Sequence, residues 1–130
     1  MQYMLLLYGN EAAEAAKPKA QIDAEMAEYF ALDSKAKPLG ITITGGEALH
    51  PTSTATTVRI RAGKALTSDS PGKALTSDSP FAETKEQIGG YYIVECKSFD
   101  EALAFASHIP AARDGSIEIR EVVDLSSLGA

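Results

Sequence analysis

Two stretches of this chain are apolar at almost every consecutive position, and they restrict its possible folds more than any other feature. One reads Tyr3-Met4-Leu5-Leu6-Leu7-Tyr8 and stops at Gly9-Asn10. The other reads Tyr91-Tyr92-Ile93-Val94-Glu95-Cys96 and follows Gly89-Gly90. Side chains along a strand point alternately to the two faces of its sheet. A short apolar run without alternation is therefore a strand that needs cover on both faces. Neither run is long enough to span a bilayer.

The intervening segments supply some of that cover. Over residues 18–39, Ile22, Met26, Tyr29, Phe30 and Asp33 fall at i, i+4, i+7, i+8 and i+11. Four apolar residues thus line one helical face, which fades at Asp33, while Asp23, Glu25 and Glu28 lie on other faces. Pro18 suits the first turn, and Pro38 with Gly40 closes the segment. Ile41-Thr42-Ile43-Thr44 alternates and is β-branched throughout, which predicts a strand ended or bulged by Gly45-Gly46. Residues 51–54 read as a loop. Residues 56–61 alternate again, with Val58 and Ile60 opposite Thr57, Arg59 and Arg61, and Ala62-Gly63 predicts a hairpin turn into Lys64-Ala65-Leu66-Thr67. Ser98 and Glu101 predict a capping box. The helix it opens has an apolar face of Leu103 and Ala106 with Phe99, and ends near Pro110. Residues 116–123 predict a last strand, with Ile117, Ile119 and Val122 apolar, and residues 126–130 a loose tail.

The order strand, helix, strand, hairpin, strand, helix, strand predicts an α+β fold. It is ferredoxin-like, βαββαβ with an inserted β-hairpin and an antiparallel sheet, in one domain over residues 1–125. Two helices cover only one face of such a sheet, so the second face needs a partner. A second copy of the chain is the economical cover, which makes a homodimer the expectation. The competing expectation is that the hairpin folds back over that face.

An exact tandem repeat interrupts this pattern. Residues 63–71, GKALTSDSP, recur at once as residues 72–80. Two copies of nine residues are too few and too short for a solenoid. A tolerated duplication is the stronger reading, against a loop extension selected beside a binding site. Nine residues threaded into one strand would turn the following side chains to the wrong face, whereas lengthening a loop costs only about 0.6 kcal/mol per doubling. The expectation is that residues 68–76 bulge, because the second copy brings Phe81, whose burial is worth about 2 kcal/mol.

Charge and composition exclude some classes of function. The net charge is −6 over 130 residues, which argues against nucleic acid as a partner and leaves a basic partner or cationic substrate open. A single cysteine, Cys96, permits neither an intramolecular disulfide nor a thiolate zinc site; at a strand end it reads as a small core residue. The opening residues lack a basic leader and a secretory apolar region, so a cytoplasmic protein without a membrane segment is expected. His50 precedes Pro51 in a polar loop, and His108 lies at a helix end where a cation suits the dipole. Together they make no metal site, and neither glycine pair has the spacing of a phosphate loop. No cofactor is expected.

Asp78-Ser79-Pro80-Phe81-Ala82-Glu83-Thr84-Lys85-Glu86-Gln87 resembles the DGPFAETKE signature of the YCII-related family. Gly46-Glu47-Ala48-Leu49, Thr54-Ala55-Thr56-Thr57-Val58-Arg59, Gly89-Gly90-Tyr91-Tyr92 and Ile109-Pro110-Ala111-Ala112-Arg113 are similar to it too. Ser79 stands where the family usually has glycine. The resemblance implies a ferredoxin-like fold that dimerises as an α/β barrel, with a cleft between sheet and helices. It also implies association with extracytoplasmic-function sigma factors, suggested by gene neighbourhoods. A histidine–aspartate pair suggested as catalytic in a related branch has no counterpart here, since the first helix carries Asp33 but no histidine.

The candidate ligand-binding residues are Asp78, Phe81, Glu83, Lys85 and Glu86 of the signature, with Tyr91 and Arg59. Glu83, Lys85 and Glu86 orient a polar ligand, or else belong to a short helical turn capped by Asp78 or Ser79. Tyr91 and Tyr92 point to opposite faces, so one packs under the helices and the other faces a dimer interior or a cleft. Arg59 and Arg61 share a hairpin face and suit a carboxylate, or simply a solvated surface. No catalytic residue is assigned. The functional expectation is a homodimeric small-molecule-binding protein with its cleft beside the signature. The alternatives are a cofactor-independent isomerase- or monooxygenase-like enzyme and a regulatory partner of a sigma factor.

Overall fold

The computed structural model describes residues 1–67 and 86–129. The bulge expected at residues 68–76, and the rest of the repeat beyond Thr67, lie outside the described residues.

Strand β1 (Gln2–Asn10) begins the chain, followed by three short helical pieces: α1 (Glu11–Ala15), α2 (Lys19–Phe30) and α3 (Leu32–Ala36). Strand β2 (Thr42–Ala48) and a hairpin of β3 (Val58–Arg61) and β4 (Lys64–Thr67) come next. Strand β5 (Glu86–Glu95), helices α4 (Phe99–Ala106) and α5 (Ala111–Asp114), and strand β6 (Ser116–Glu121) complete the order. The four long strands form one sheet in the order β2-β5-β1-β6, and the pairings within it are antiparallel. The two apolar runs are its central strands, as their lack of alternation demands. This is the ferredoxin-like α+β fold expected from the sequence. Among the described residues no helix is long and apolar enough to cross a membrane.

The register sorts the central side chains. Tyr3, Leu5 and Leu7 of β1 lie opposite Val94, Tyr92 and Gly90 of β5 and face the helices. They form one buried cluster with Leu32, Ala36, Ile41, Val94, Cys96, Ala102, Phe105, Ala106 and Ile109. Each large side chain wholly buried there contributes about 1.5–3 kcal/mol. Met4, Leu6 and Tyr8 share the other face with Ile93, Tyr91 and Ile88; all six are half-buried, and none belongs to the cluster.

Both helix faces differ from expectation. The expected long first helix breaks at Ala31, whose φ and ψ of −87° and 0° close α2 and start α3. The break changes the phase, so Leu32 and Ala36 enter the core while Phe30 is left 79% exposed, with Ile22 and Met26 also exposed. Only Tyr29 of the predicted stripe packs against the core. In α4, Ala102, Phe105 and Ala106 are buried, whereas Leu103 is 51% exposed and Phe99 is exposed. The stripe Ala102, Phe105, Ala106 and Ile109 has helical spacing, and its two alanines allow the close approach to the sheet that Leu103 would prevent.

The capping residues behave as the sequence suggests. The Glu101 amide donates to Ser98 Oγ at 3.3 Å, and the return bond runs from the Lys97 amide to Glu101 Oε1 at 2.7 Å, one residue earlier than an ideal box. Asn10 ends β1 and also caps α1, its Oδ1 accepting from the Ala13 amide at 2.9 Å. Of the two outcomes expected at Gly45-Gly46, the strand bulges and does not end: the register shifts between Ile43 and Gly45 and β2 runs on to Ala48. Ala62 and Gly63 have φ of 51° and 75°, the left-handed pair that a two-residue hairpin turn requires. That hairpin is a separate two-stranded sheet. Ile60 is 68% exposed and Val58 is exposed too, so its apolar face does not cover the main sheet. Residues 126–128, expected as part of the tail, join Leu125 in a 3-10 turn capped by Asp124, whose Oδ1 accepts from the Ser126 amide at 3.0 Å.

Candidate functional site

The apolar side chains of α2 that miss the core face a cleft of about 480 Å³. Its floor is the end of the sheet where β1 finishes and β5 begins, with Leu7, Gly90 and Tyr92. Its roof is Ile22, Met26, Tyr29 and Phe30 of α2. Gly46 to Ala48 of β2 close one side, and Pro110 and Ala111 at the start of α5 close the other. The volume falls within the range of small-molecule sites.

One end of the cleft is polar. Lys17, in the bend between α1 and α2, has a side chain only 10% exposed. Its ammonium lies 2.7 Å from Glu14, 2.9 Å from Glu25 and 2.8 Å from Asp114. Burial alone would lower the Lys17 pKa, but the hydrogen bonds to Asp114, Glu14 and Glu25 outweigh it and raise the value. Arg113 of α5 donates two hydrogen bonds to the Glu28 carboxylate, both of 2.8 Å, and these hold the Glu28 pKa below the usual glutamate range. Two ion pairs therefore fasten α2 and its leading bend to α5.

The two phenols inside the cleft are kept neutral. Burial, reinforced by the neighbouring Tyr92, pushes Tyr29 up to about 12. Burial first and Asp33 second raise Tyr92. Like any tyrosine, both are protonated at physiological pH and able to donate a hydrogen bond, and the shift extends that state further into the alkaline range.

The sequence candidates divide around this site. Tyr91 borders the cleft, although the register turns its side chain to the face of Leu6, so the phenol inside belongs to Tyr92. Gln87 and Gly89, just after the signature's acidic residues, also line the cleft. Glu86 points elsewhere and accepts from Ser116 Oγ at 2.7 Å. Arg59 is half-buried on β3, and no described residue of its hairpin lines the cleft. Asp78, Phe81, Glu83 and Lys85 lie outside the described residues. Cys96 is buried, its thiol donates to the Ser98 carbonyl at 3.2 Å, and burial raises its pKa, which suits a core residue. His50 and His108 are exposed. Among the described residues no group of three or more histidines, cysteines and carboxylates could hold a metal ion.

The sequence reading missed Lys17, Glu14, Glu25 and Asp114. A lysine among charged residues in an interhelical bend carries no local sign of burial. Asp114, its partner from the far end of the chain, reaches it only through the tertiary fold. The signal available was the α2 stripe itself, four large apolar residues on a helix that also needed Leu32 and Ala36 for the core.

A model of the YCII-related domain matches residues 1–126. A curated relative from Rhizobium meliloti (strain 1021), which carries the description of an uncharacterized protein, is 35% identical over 122 residues, 92% of this chain and 90% of the relative.

Proposed function

We propose that this chain, which belongs to the YCII-related domain family, is a homodimeric small-molecule-binding protein whose site is the cleft between α2 and the sheet. The observation that carries this reading is the placement of Ile22, Met26 and Phe30, large apolar side chains that line the cleft instead of entering the core. Exposing them to water is unfavourable unless something apolar occupies the space they enclose. Support for a dimer comes from the second sheet face, whose Met4, Leu6, Ile88, Tyr91 and Ile93 take no part in the core. Loss of that face from water needs a partner of similar apolarity, and a two-fold copy supplies one. Gln87, the last residue of the signature segment, and Gly89 line this cleft, which supports a site at the signature's C-terminal end.

Native mass spectrometry of the protein as purified tests this reading. The expected result is a dimer carrying extra mass that is lost on denaturation and absent from Met26→Trp, whose indole fills the cleft. A protein with no retained mass, and with no ligand from a millimolar fragment library detected by NMR, would overturn it.

The enzyme reading is favoured by one observation, that Tyr29 and Tyr92 both line the same cleft. Two fixed donors can stabilise an oxyanion as it develops, without metal or cofactor. Turnover of a bound compound that Tyr92→Phe abolishes, while binding persists, would establish that reading.

A further inference from the structure

The charges lining the cleft restrict what it can hold. An ammonium has three donors and no acceptor, and carboxylate oxygens of Glu14, Glu25 and Asp114 stand at hydrogen-bond distance from that of Lys17. With its donors engaged, Lys17 is a poor partner for an anionic ligand. Three carboxylates around one ammonium also leave two negative charges in excess. They sit at the end of a cleft whose walls include Ile22, Met26, Tyr29, Phe30 and Tyr92, and which two further carboxylates, of Glu11 and Glu47, also line. Low-dielectric walls focus such a field into the cavity and strengthen it.

We infer that the cleft takes a hydrophobic cation, an aryl- or alkylamine in its ammonium form. Its apolar body lies against Met26, Tyr29 and Phe30, and its charged head meets the carboxylates around Lys17. This rests on the reading of the cleft as a ligand site and adds the class of ligand. The ammonium offsets one of the two negative charges that Lys17 leaves in excess, while a carboxylic acid of the same shape meets repulsion at the same end. A neutral analogue gains the apolar contact alone.

The test is isothermal titration of the full chain, at low salt, with three probes on one skeleton: 4-phenylbutylamine, 4-phenylbutan-1-ol and 4-phenylbutyrate. The amine is expected to bind about tenfold more tightly than the alcohol, and the acid more weakly still. Glu14→Gln, which removes one exposed carboxylate and leaves Lys17 two partners, should weaken the amine several-fold and leave the alcohol unchanged. Asp23→Asn changes the total charge equally on a residue that does not line the cleft, and should change nothing. Alcohol or acid binding as tightly as the amine would overturn the cation assignment while leaving the cleft a ligand site. Equal weakening by Asp23→Asn would reduce the preference to the net charge of −6 and overturn it too. No binding of any probe by the folded protein would overturn the assignment together with the ligand-site reading beneath it.

Discussion

A methyl group added at Gly115 would collide with the carbonyl oxygen of Tyr8 and sit 3.1 Å from that of Ala111, both backbone atoms. Neither can move without shifting β1 or α5. At Gly89, the extra residue of β5 where the register shifts opposite Leu7 and Tyr8, an added methyl meets nothing within 4 Å. The two glycines therefore diverge on substitution. Gly115→Ala should destabilise the fold by about 1–3 kcal/mol, the usual cost of overpacking. Gly89→Ala should be neutral or stabilising by about 0.4–1 kcal/mol through the unfolded chain. Urea unfolding followed by circular dichroism reads both, and equal midpoints would refute the close approach at Gly115. Nothing in the sequence separates these positions, because the contact that decides each comes from a distant strand. The same holds at the cleft. Tyr91 and Tyr92 were legible as a pair on opposite faces from the period of a strand alone. Lys17 was not, since its burial depends on Asp114 across the fold. Phe105 was overlooked in favour of Leu103, because a stripe built on alanines is weak as a pattern of bulk but sound as a pattern of spacing.

Helix α2 differs from α4 in how it is held. It has no buried residue, whereas α4 buries Ala102, Phe105 and Ala106. Its attachments are Tyr29, which packs against the core, and the ion pairs of Arg113 with Glu28 and of Lys17 with Asp114. Such a helix opens locally at lower cost than one anchored by packing. It roofs the cleft, so under the proposed ligand-binding reading it is the lid whose opening would admit a ligand. Two consequences have definite signs. Salt screens the partly exposed Arg113–Glu28 pair, so raising ionic strength should speed amide exchange across α2 and leave α4 unchanged. The Glu28 pKa is lowered in the folded state; its contribution is present above the ordinary glutamate value and lost as pH falls through the lowered one. The Lys17 pKa is raised, and its contribution is present below the ordinary lysine value and lost only as pH climbs past the raised one. Protection of α2 should therefore hold from neutral pH into the alkaline range and fall on acidification. Hydrogen exchange by mass spectrometry, comparing wild type with Arg113→Ala, checks this; α2 and α4 exchanging alike at every salt and pH would sink the lid. The helix itself was legible from its periodicity, and its direction was not. A stripe of four apolar residues marks a helical face but does not say whether a core or a cavity lies beneath it.

The sheet order β2-β5-β1-β6 follows from element order and from central strands apolar on both faces, which is why the fold was readable before the structure. The same property has a consequence for the assembly. The helices cover the face of Leu5 and Val94, and Leu6, Tyr91 and Ile93 lie on the other. The hairpin was the competing cover, and the exposure of Val58 and Ile60 shows that its apolar face is not turned onto the sheet. A stable interface needs about 800 Å² from each partner, and a four-stranded sheet face is of that order. Two-fold pairing would also set Glu118 and Arg120 of β6, which flank the apolar patch on the same face opposite Leu6 and Met4, near charges of the partner. Leu6, central on that face, is the residue whose change should matter most. Leu6→Arg places a charge where the partner's apolar surface would desolvate it, while β1 keeps the Leu5 and Leu7 contacts that hold the monomer. Sedimentation equilibrium at tens of micromolar should find a dimer for the wild type and a folded monomer for Leu6→Arg, with unchanged far-ultraviolet circular dichroism. A wild-type monomer would mean that this face finds its cover within one chain. A dimer persisting in Leu6→Arg would move the interface to another surface, for which the exposed apolar face of the β3–β4 hairpin is the next candidate.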